Sequence, residues 1–294
     1  MTAQRPNLFV IGAPKCGTSA LCGYLATHPH IFMCDPKEPH YFNQDFDRRY
    51  AESLDFYLSL FNAAGPEHWW RAEGSTAYLY SEVALARIIE FDPRARFVAA
   101  VRNPVEMIQA LHAQRVRDFT EDVMDFESAL KLEARRRQGE RIPAACPDHK
   151  LLAYRAFCRV GQQLRRARSV LPPAQLHVIA YDDLVANPRR VYEGVLRFLN
   201  LEFDGRAEFP RVNPRRHFRF GRLERGLRTI KAARERRGLP GGLGVHALIN
   251  RFNLVSAGRA PRPEVLDDLR AFFADDVALL STLLQRDLSH WLKA

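Results

Sequence analysis

The stretch Asn7-Leu-Phe-Val-Ile-Gly12, running through Ala-Pro-Lys-Cys-Gly-Thr-Ser19 toward Leu21 and Leu25, constrains this chain more than any other. An unbroken apolar run has no polar face to give to water, so it reads as a strand buried on both sides. The glycine-rich turn after it opens into a helical pattern instead of a hairpin. A strand that hands over to a helix needs a crossover, and crossovers build parallel sheets.

The rest of the chain repeats the theme. Arg96-Phe-Val-Ala-Ala-Val101 and Gln175-Leu-His-Val-Ile-Ala-Tyr181 read as further buried strands, and Trp70-Arg-Ala-Glu73 as a shorter one. Helical patterns occupy the gaps near 76–90, 104–117, 125–138, 148–170, 189–199 and 263–290. The expected fold class is α/β, a parallel sheet flanked by helices. No repeat or low-complexity linker divides residues 1–294, so a single domain is expected. The exception is an irregular Arg-, Gly- and Pro-rich insertion at about 211–262. From Arg211 to Arg237 it carries eleven Lys/Arg against two Glu, readable as a solvated helical face or as a basic flap over an anionic ligand.

Apolar residues make up 47% of the 294, enough for a sizeable core, and the net charge of +10 points to an anionic partner without naming it. Cysteines at 16, 22, 34, 146 and 158 are odd in number and form no CxxC pair, so free thiols are expected over a disulfide framework or zinc site. There is no apolar run of membrane-spanning length and no leader-like start, which makes the cytoplasm the expected compartment.

The segment Gly12-Ala-Pro-Lys-Cys-Gly-Thr-Ser19 has the context of an anion site: turn amides and free first-turn amides converge on a negative group, aided by the helix dipole. Gly17 permits close backbone approach, and Thr18 and Ser19 add hydroxyls. It is not a Walker loop, because Thr18 follows Gly17 and the lysine stands earlier, at Lys15. A bland alternative is a glycine turn ahead of a structural helix. Arg102-Asn-Pro-Val-Glu106 follows the strand 96–101, at the sheet edge where ligands collect, and arginine offers a fork of donors to phosphate. Its bland reading is a surface ion pair with Pro104 at a helix start.

Pro14-Lys15-Cys16-Gly17-Thr18-Ser19 resembles the 5′-phosphosulfate loop of sulfotransferases that use 3′-phosphoadenosine 5′-phosphosulfate (PAPS), in particular the bacterial and heparan-sulfate-type branch. The resemblance implies a three-layer α/β/α fold. It also implies donor contacts from Lys15, Cys16, Gly17, Thr18 and Ser19, with Lys15 on the bridging oxygen of the leaving group. Arg102 resembles the 3′-phosphate arginine of the RNPV(D/E) motif, but the serine expected eight residues later is Ala110. Gln109 or Gln114 are candidates to replace it. Lys37-Glu-Pro-His-Tyr-Phe42 is similar to the glycan-type segment whose glutamate serves as base, which makes Glu38 the expected general base and His40 its rival. Glu73-Gly-Ser-Thr-Ala-Tyr78 looks like a looser family element, EKSPxY.

The implied activity is transfer of a sulfuryl group from PAPS to a hydroxyl or amine on a small molecule or glycan, leaving 3′-phosphoadenosine 5′-phosphate (PAP). No carboxylate cluster has magnesium spacing, so no metal is expected. Two rival functions stay open. One is a P-loop kinase or NTPase, disfavoured by the absent Walker lysine. The other is a nucleic-acid or polyanion binder on a decayed fold of this type, disfavoured by the presence of both Lys15 and Glu38.

Overall fold

The computed structural model describes residues 5–210, 217–218, 254–255 and 260–293. Its centre is a five-stranded sheet of β1 (Leu8–Gly12), β2 (Ile31–Met33), β3 (Trp70–Glu73), β4 (Arg96–Val101) and β5 (Leu176–Ala180). The spatial order is β2-β3-β1-β4-β5 and every pairing is parallel. All five residues of β1 are buried, as are Phe97 to Val101 of β4, as unbroken apolar runs require. Strand β2 escaped the sequence reading because three residues are too few to show a period. Only its register on β3, Ile31 opposite Trp70, defines it.

The chain leaves β1 for β2 on one side of the sheet, then crosses from β3 past β1 to β4 on the other. Order reverses beside β1, and a crevice opens outside the carboxyl end of such a strand. The glycine-rich turn 12–19 lies at that point.

The helices are α1 (Thr18–Leu25), α2 (Leu54–Ser59), α3 (Ala84–Phe91), α4 (Pro104–Arg117), α5 (Phe126–Lys131), α6 (Glu133–Arg137), α7 (Tyr154–Phe157), α8 (Val160–Val170), α9 (Tyr181–Ala186), α10 (Pro188–Phe198) and α11 (Pro263–Leu284). The helix expected near 76–90 starts only at Ala84. Residues 74–81 instead cover the end of β1, where Leu79 N–H donates to the Ile11 carbonyl at 2.9 Å. The pattern at 148–170 is broken into a 3₁₀ turn and two helices, because Ala153 and Arg159 leave helical geometry at ψ 66 and 67. The new start of α8 is capped from afar: Asp276 of α11 accepts from Gly161 N–H and Gln162 N–H at 2.8 and 2.9 Å. The final helix ends at Leu284, where Gln285 turns left-handed, and a 3₁₀ turn at Ser289–Leu292 follows. Its apolar stripe is core, with Leu269, Phe273, Val277 and Leu280 buried.

All five cysteines are free and buried. No described helix is long and apolar enough to cross a membrane. The basic stretch Arg211 to Arg237 and most of the insertion lie outside the described residues. Within the insertion only a two-residue antiparallel pair, β6 (His217–Phe218) and β7 (Leu254–Val255), is described along with its last residues.

Candidate active site

Strand β1 delivers the chain to Gly12, whose φ of +124° and packing both require glycine: a Cβ there would stand 2.3 Å from the Thr76 carbonyl oxygen. Gly17, at φ +80°, begins α1 under Leu184 and Tyr181, and a Cβ would meet the Leu184 side chain at 2.6 Å. Between them Lys15 also takes a left-handed φ of 64°. Among the described residues, the amides from Lys15 to Ser19 donate to no protein acceptor, and the Thr18 and Ser19 hydroxyls make no hydrogen bond. Consecutive unpaired amides at a helix start form an anion nest. Thr18 is buried and Ser19 half-buried. Cys16 differs: its side chain is fully buried against the Pro14 carbonyl and Met107, and burial pushes its thiol up to about 12. Only its backbone amide can serve a ligand.

The Lys15 ammonium has no hydrogen bond or ion pair among the described residues. Burial first, then the positive charges of Arg117, Arg102 and Arg115, lower its pKa from 10.5 to about 8, with Asp118 opposing. Three arginines thus act on the lysine here, with Asp118 as the opposing charge. Arg115 and Arg117 escaped the sequence reading, because their place in α4 fits no motif and only the folded path of the helix brings their charge to the loop. Arg115 Nε is buried without a partner in the described structure.

Arg102 sits where β4 ends and is 7% exposed. It ties the two motifs together. Nη1 donates to the Lys15 carbonyl at 3.0 Å, while Nε and Nη2 donate to Glu106 Oε2 at 3.2 and 2.7 Å. Its guanidinium lies over the Tyr181 ring at 4.3 Å. Asn103 caps α4 by accepting from Val105 N–H at 2.9 Å, with Pro104 at the first helical position. Gln109 donates one side-chain N–H to the Val105 carbonyl at 2.8 Å, which leaves its second N–H and its oxygen uncommitted among the described residues.

The segment 37–42 lies against residues 73–78. Glu38 is gripped by the Lys37 ammonium, by His40 Nε2 at 3.2 Å and by Thr76 Oγ1 at 3.0 Å. Burial alone would raise its pKa. The hydrogen bond from His40 and the charge of Lys37 outweigh burial and hold the carboxyl well below the usual carboxylate range. Glu38 is therefore an anion at any physiological pH, with roughly a third of its side chain open to solvent. One other acidic group among the described residues, Asp47, Asp148 and His149, brings ligand atoms within 4.8 Å of one another. The Asp148 oxygens there already accept from the backbone N–H of Asp47 and Lys150 at 2.8 and 2.7 Å, which makes the group a turn.

A sulfotransferase family model matches residues 55–205, just over half of the chain. The chain belongs to the sulfotransferase family. The matched span holds Arg102 and the 73–78 segment, whereas the 12–19 turn and Glu38 lie before it. This sulfotransferase is 26% identical over 202 residues to heparan sulfate glucosamine 3-O-sulfotransferase 5 of Mus musculus, across 68% of the chain and 55% of the relative. It is 25% identical over 206 residues to the bifunctional heparan sulfate N-deacetylase/N-sulfotransferase 3 of Homo sapiens, across 67% of the chain and 22% of the relative. The chain thus spans about half, or less, of the curated relatives' own lengths. A sulfotransferase crystal structure from Alicyclobacillus acidocaldarius superposes with a TM-score of 0.72 at 26% identity, covering 98% of this chain and 99% of that one. The sulfotransferase domain from the curacin biosynthetic pathway shares the fold, with a TM-score of 0.51 at 16% identity over 98% of this chain and all of that one. The five-stranded parallel sheet flanked by helices is the α/β architecture that the sequence implied.

Proposed function

We propose that this sulfotransferase moves a sulfuryl group from PAPS to a hydroxyl or amine of a glycan or small-molecule acceptor. One observation carries the reading: among the described residues the amides from Lys15 to Ser19 and the Lys15 ammonium have no partner, and Arg102 is hydrogen-bonded to the Lys15 carbonyl. The two Arg102 N–H groups left over after Glu106 and Lys15 suit a phosphate oxygen. In this reading the amides of Lys15, Cys16, Gly17, Thr18 and Ser19 and the two hydroxyls hold the 5′-phosphosulfate. Arg102 takes the 3′-phosphate.

The bond from sulfur to the bridging phosphate oxygen breaks as the acceptor oxygen or nitrogen bonds to sulfur. Lys15 stabilises the charge that collects on the departing phosphate oxygen, and Glu38 receives the acceptor proton. Each role is worth about 2–4 kcal/mol, by analogy with a single oxyanion donor. A carboxylate held so far below its ordinary range is a weak base, which suits late proton transfer. Once bonded to sulfur, the acceptor atom has become a strong acid, and a weak base suffices. No step needs a metal ion. The chain acts as one catalytic domain, with the cytoplasm as its compartment. The names of the heparan sulfate relatives support a sugar hydroxyl or amine as acceptor.

The test is binding and turnover together. PAP should raise the melting temperature without metal, and ATP with Mg²⁺ should not. Arg102→Ala should weaken PAP far more than adenosine 5′-phosphate. Preference for ATP with Mg²⁺ would turn the reading toward a kinase or NTPase. Failure to bind PAP, alongside salt-sensitive nucleic-acid binding, would turn it toward a polyanion binder.

A further inference from the structure

Glu73 is fully buried at the end of β3, yet it is no part of the donor site. Its oxygens accept three hydroxyls: Tyr57 at 2.8 Å and Tyr78 at 2.9 Å on Oε1, and Ser75 at 2.5 Å on Oε2. Two of these hydroxyls have a second task. Ser75 Oγ accepts from His40 N–H at 2.9 Å, and the Tyr78 oxygen accepts from Phe42 N–H at 3.2 Å. Backbone N–H groups can only donate, so both oxygens must receive there and must send their own protons elsewhere. Glu73 is the acceptor for both. Three more bonds join the same two segments. Gly74 N–H donates to the Lys37 carbonyl at 2.6 Å, the Lys37 ammonium donates to the Gly74 carbonyl at 3.2 Å, and Thr76 Oγ1 donates to Glu38 at 3.0 Å.

We infer that Glu73 is the positioning residue of the proposed base: by fixing the proton direction of Ser75 and Tyr78 it holds the 37–42 segment, and hence Glu38, in register with the donor loop. The inference rests on the reading of Glu38 as base. Two features make the segment dependent on such an anchor. His40 is held at a left-handed φ of 54°, which an isolated peptide would avoid, and its amide is anchored by Ser75 alone among the described residues. Glutamine at 73 keeps one oxygen for the tyrosines. It offers Ser75 an NH₂ in place of an acceptor, so the Ser75 proton loses its place and competes with the His40 N–H.

A double-mutant cycle on turnover separates positioning from general structural support. In the parent enzyme, Glu73→Gln should lower kcat about ten- to a hundredfold with PAP affinity unchanged, since the donor loop does not touch Glu73. In a Glu38→Gln background the same change should have little further effect on kcat. Ser75→Ala, which removes the His40 acceptor and leaves Glu73 in place, should follow the same pattern with a smaller drop and keeps the test intact if Glu73→Gln fails to fold. An equal fall in kcat in both backgrounds, or full turnover of folded Glu73→Gln and Ser75→Ala beside an inactive Glu38→Gln, overturns the inference alone. Full turnover of Glu38→Gln itself overturns the base reading and this inference with it.

Discussion

Replacing Lys15 by methionine should stabilise the ligand-free protein while weakening its hold on PAP. The lysine pKa falls from 10.5 to about 8 on folding, led by burial and reinforced by Arg117, Arg102 and Arg115. At about 1.4 kcal/mol per unit, keeping the ammonium charged in the folded chain costs roughly 3 kcal/mol at pH 7. Between pH 8 and 10.5 the unfolded chain binds a proton that the folded chain has released, so stability climbs with pH through that window. The cost is therefore complete below pH 8, about 1.5 kcal/mol at pH 9.5, and gone above the unfolded value. Methionine has similar length and no charge, so its advantage should follow that curve. Urea denaturation at pH 7 and 9.5 measures it, and a melting difference of a few degrees per kcal/mol is the thermal counterpart. PAP titration calorimetry supplies the mirror image. Parent affinity should fall by up to about thirtyfold from pH 7 to 9.5 as the ammonium deprotonates, while the Lys15→Met protein starts weak and changes little. Parallel stability curves for the two proteins, or equal pH slopes in PAP affinity, would refute the argument.

Glu38→Gln should cut kcat on the order of a hundredfold with PAP affinity retained. In the parent enzyme, the acid limb of kcat should fall below the ordinary carboxylate range, because His40 and Lys37 outweigh burial at Glu38. A limb well above the carboxylate range in the pH–rate profile would refute Glu38 as the base. Gly12→Ala should destabilise by more than 1 kcal/mol in denaturant unfolding, since the new Cβ meets the Thr76 carbonyl at 2.3 Å and the φ of +124° is one that alanine avoids. Glu121→Ala should destabilise by about 3 kcal/mol, because it takes the carboxylate from both terminal nitrogens of the fully buried Arg136 and leaves only the more distant Asp122 at 3.7 Å and the Arg141 carbonyl at 3.4 Å. An unchanged unfolding midpoint in either variant would contradict the packing described.

The long buried strands were legible because burial on both faces leaves a pattern that chemistry alone can read, and β1, β4 and β5 form within a residue of their expected bounds. The long patterns at 76–90 and 148–170 misled for one reason. Helical periodicity records which side chains are apolar, whereas the ends of a helix depend on who satisfies its free backbone groups. For α8 that partner is Asp276, more than a hundred residues downstream. Residues 74–81 are likewise drawn off the helix by the end of β1.

The sequence by itself determined the α/β class, the order of strand, glycine turn and helix, and the residue types at Lys15, Arg102 and Glu38. Each depends on neighbours close along the chain. Only the tertiary structure decided that Arg102 clamps the carbonyl of Lys15, that Arg115 and Arg117 bring their charge to the same lysine, and that Ser75 and Tyr78 link a buried Glu73 to the segment carrying Glu38. Those relations join residues dozens of positions apart, and in a chain the strength of a charge or a hydrogen bond is set by distance and burial, which no local pattern encodes.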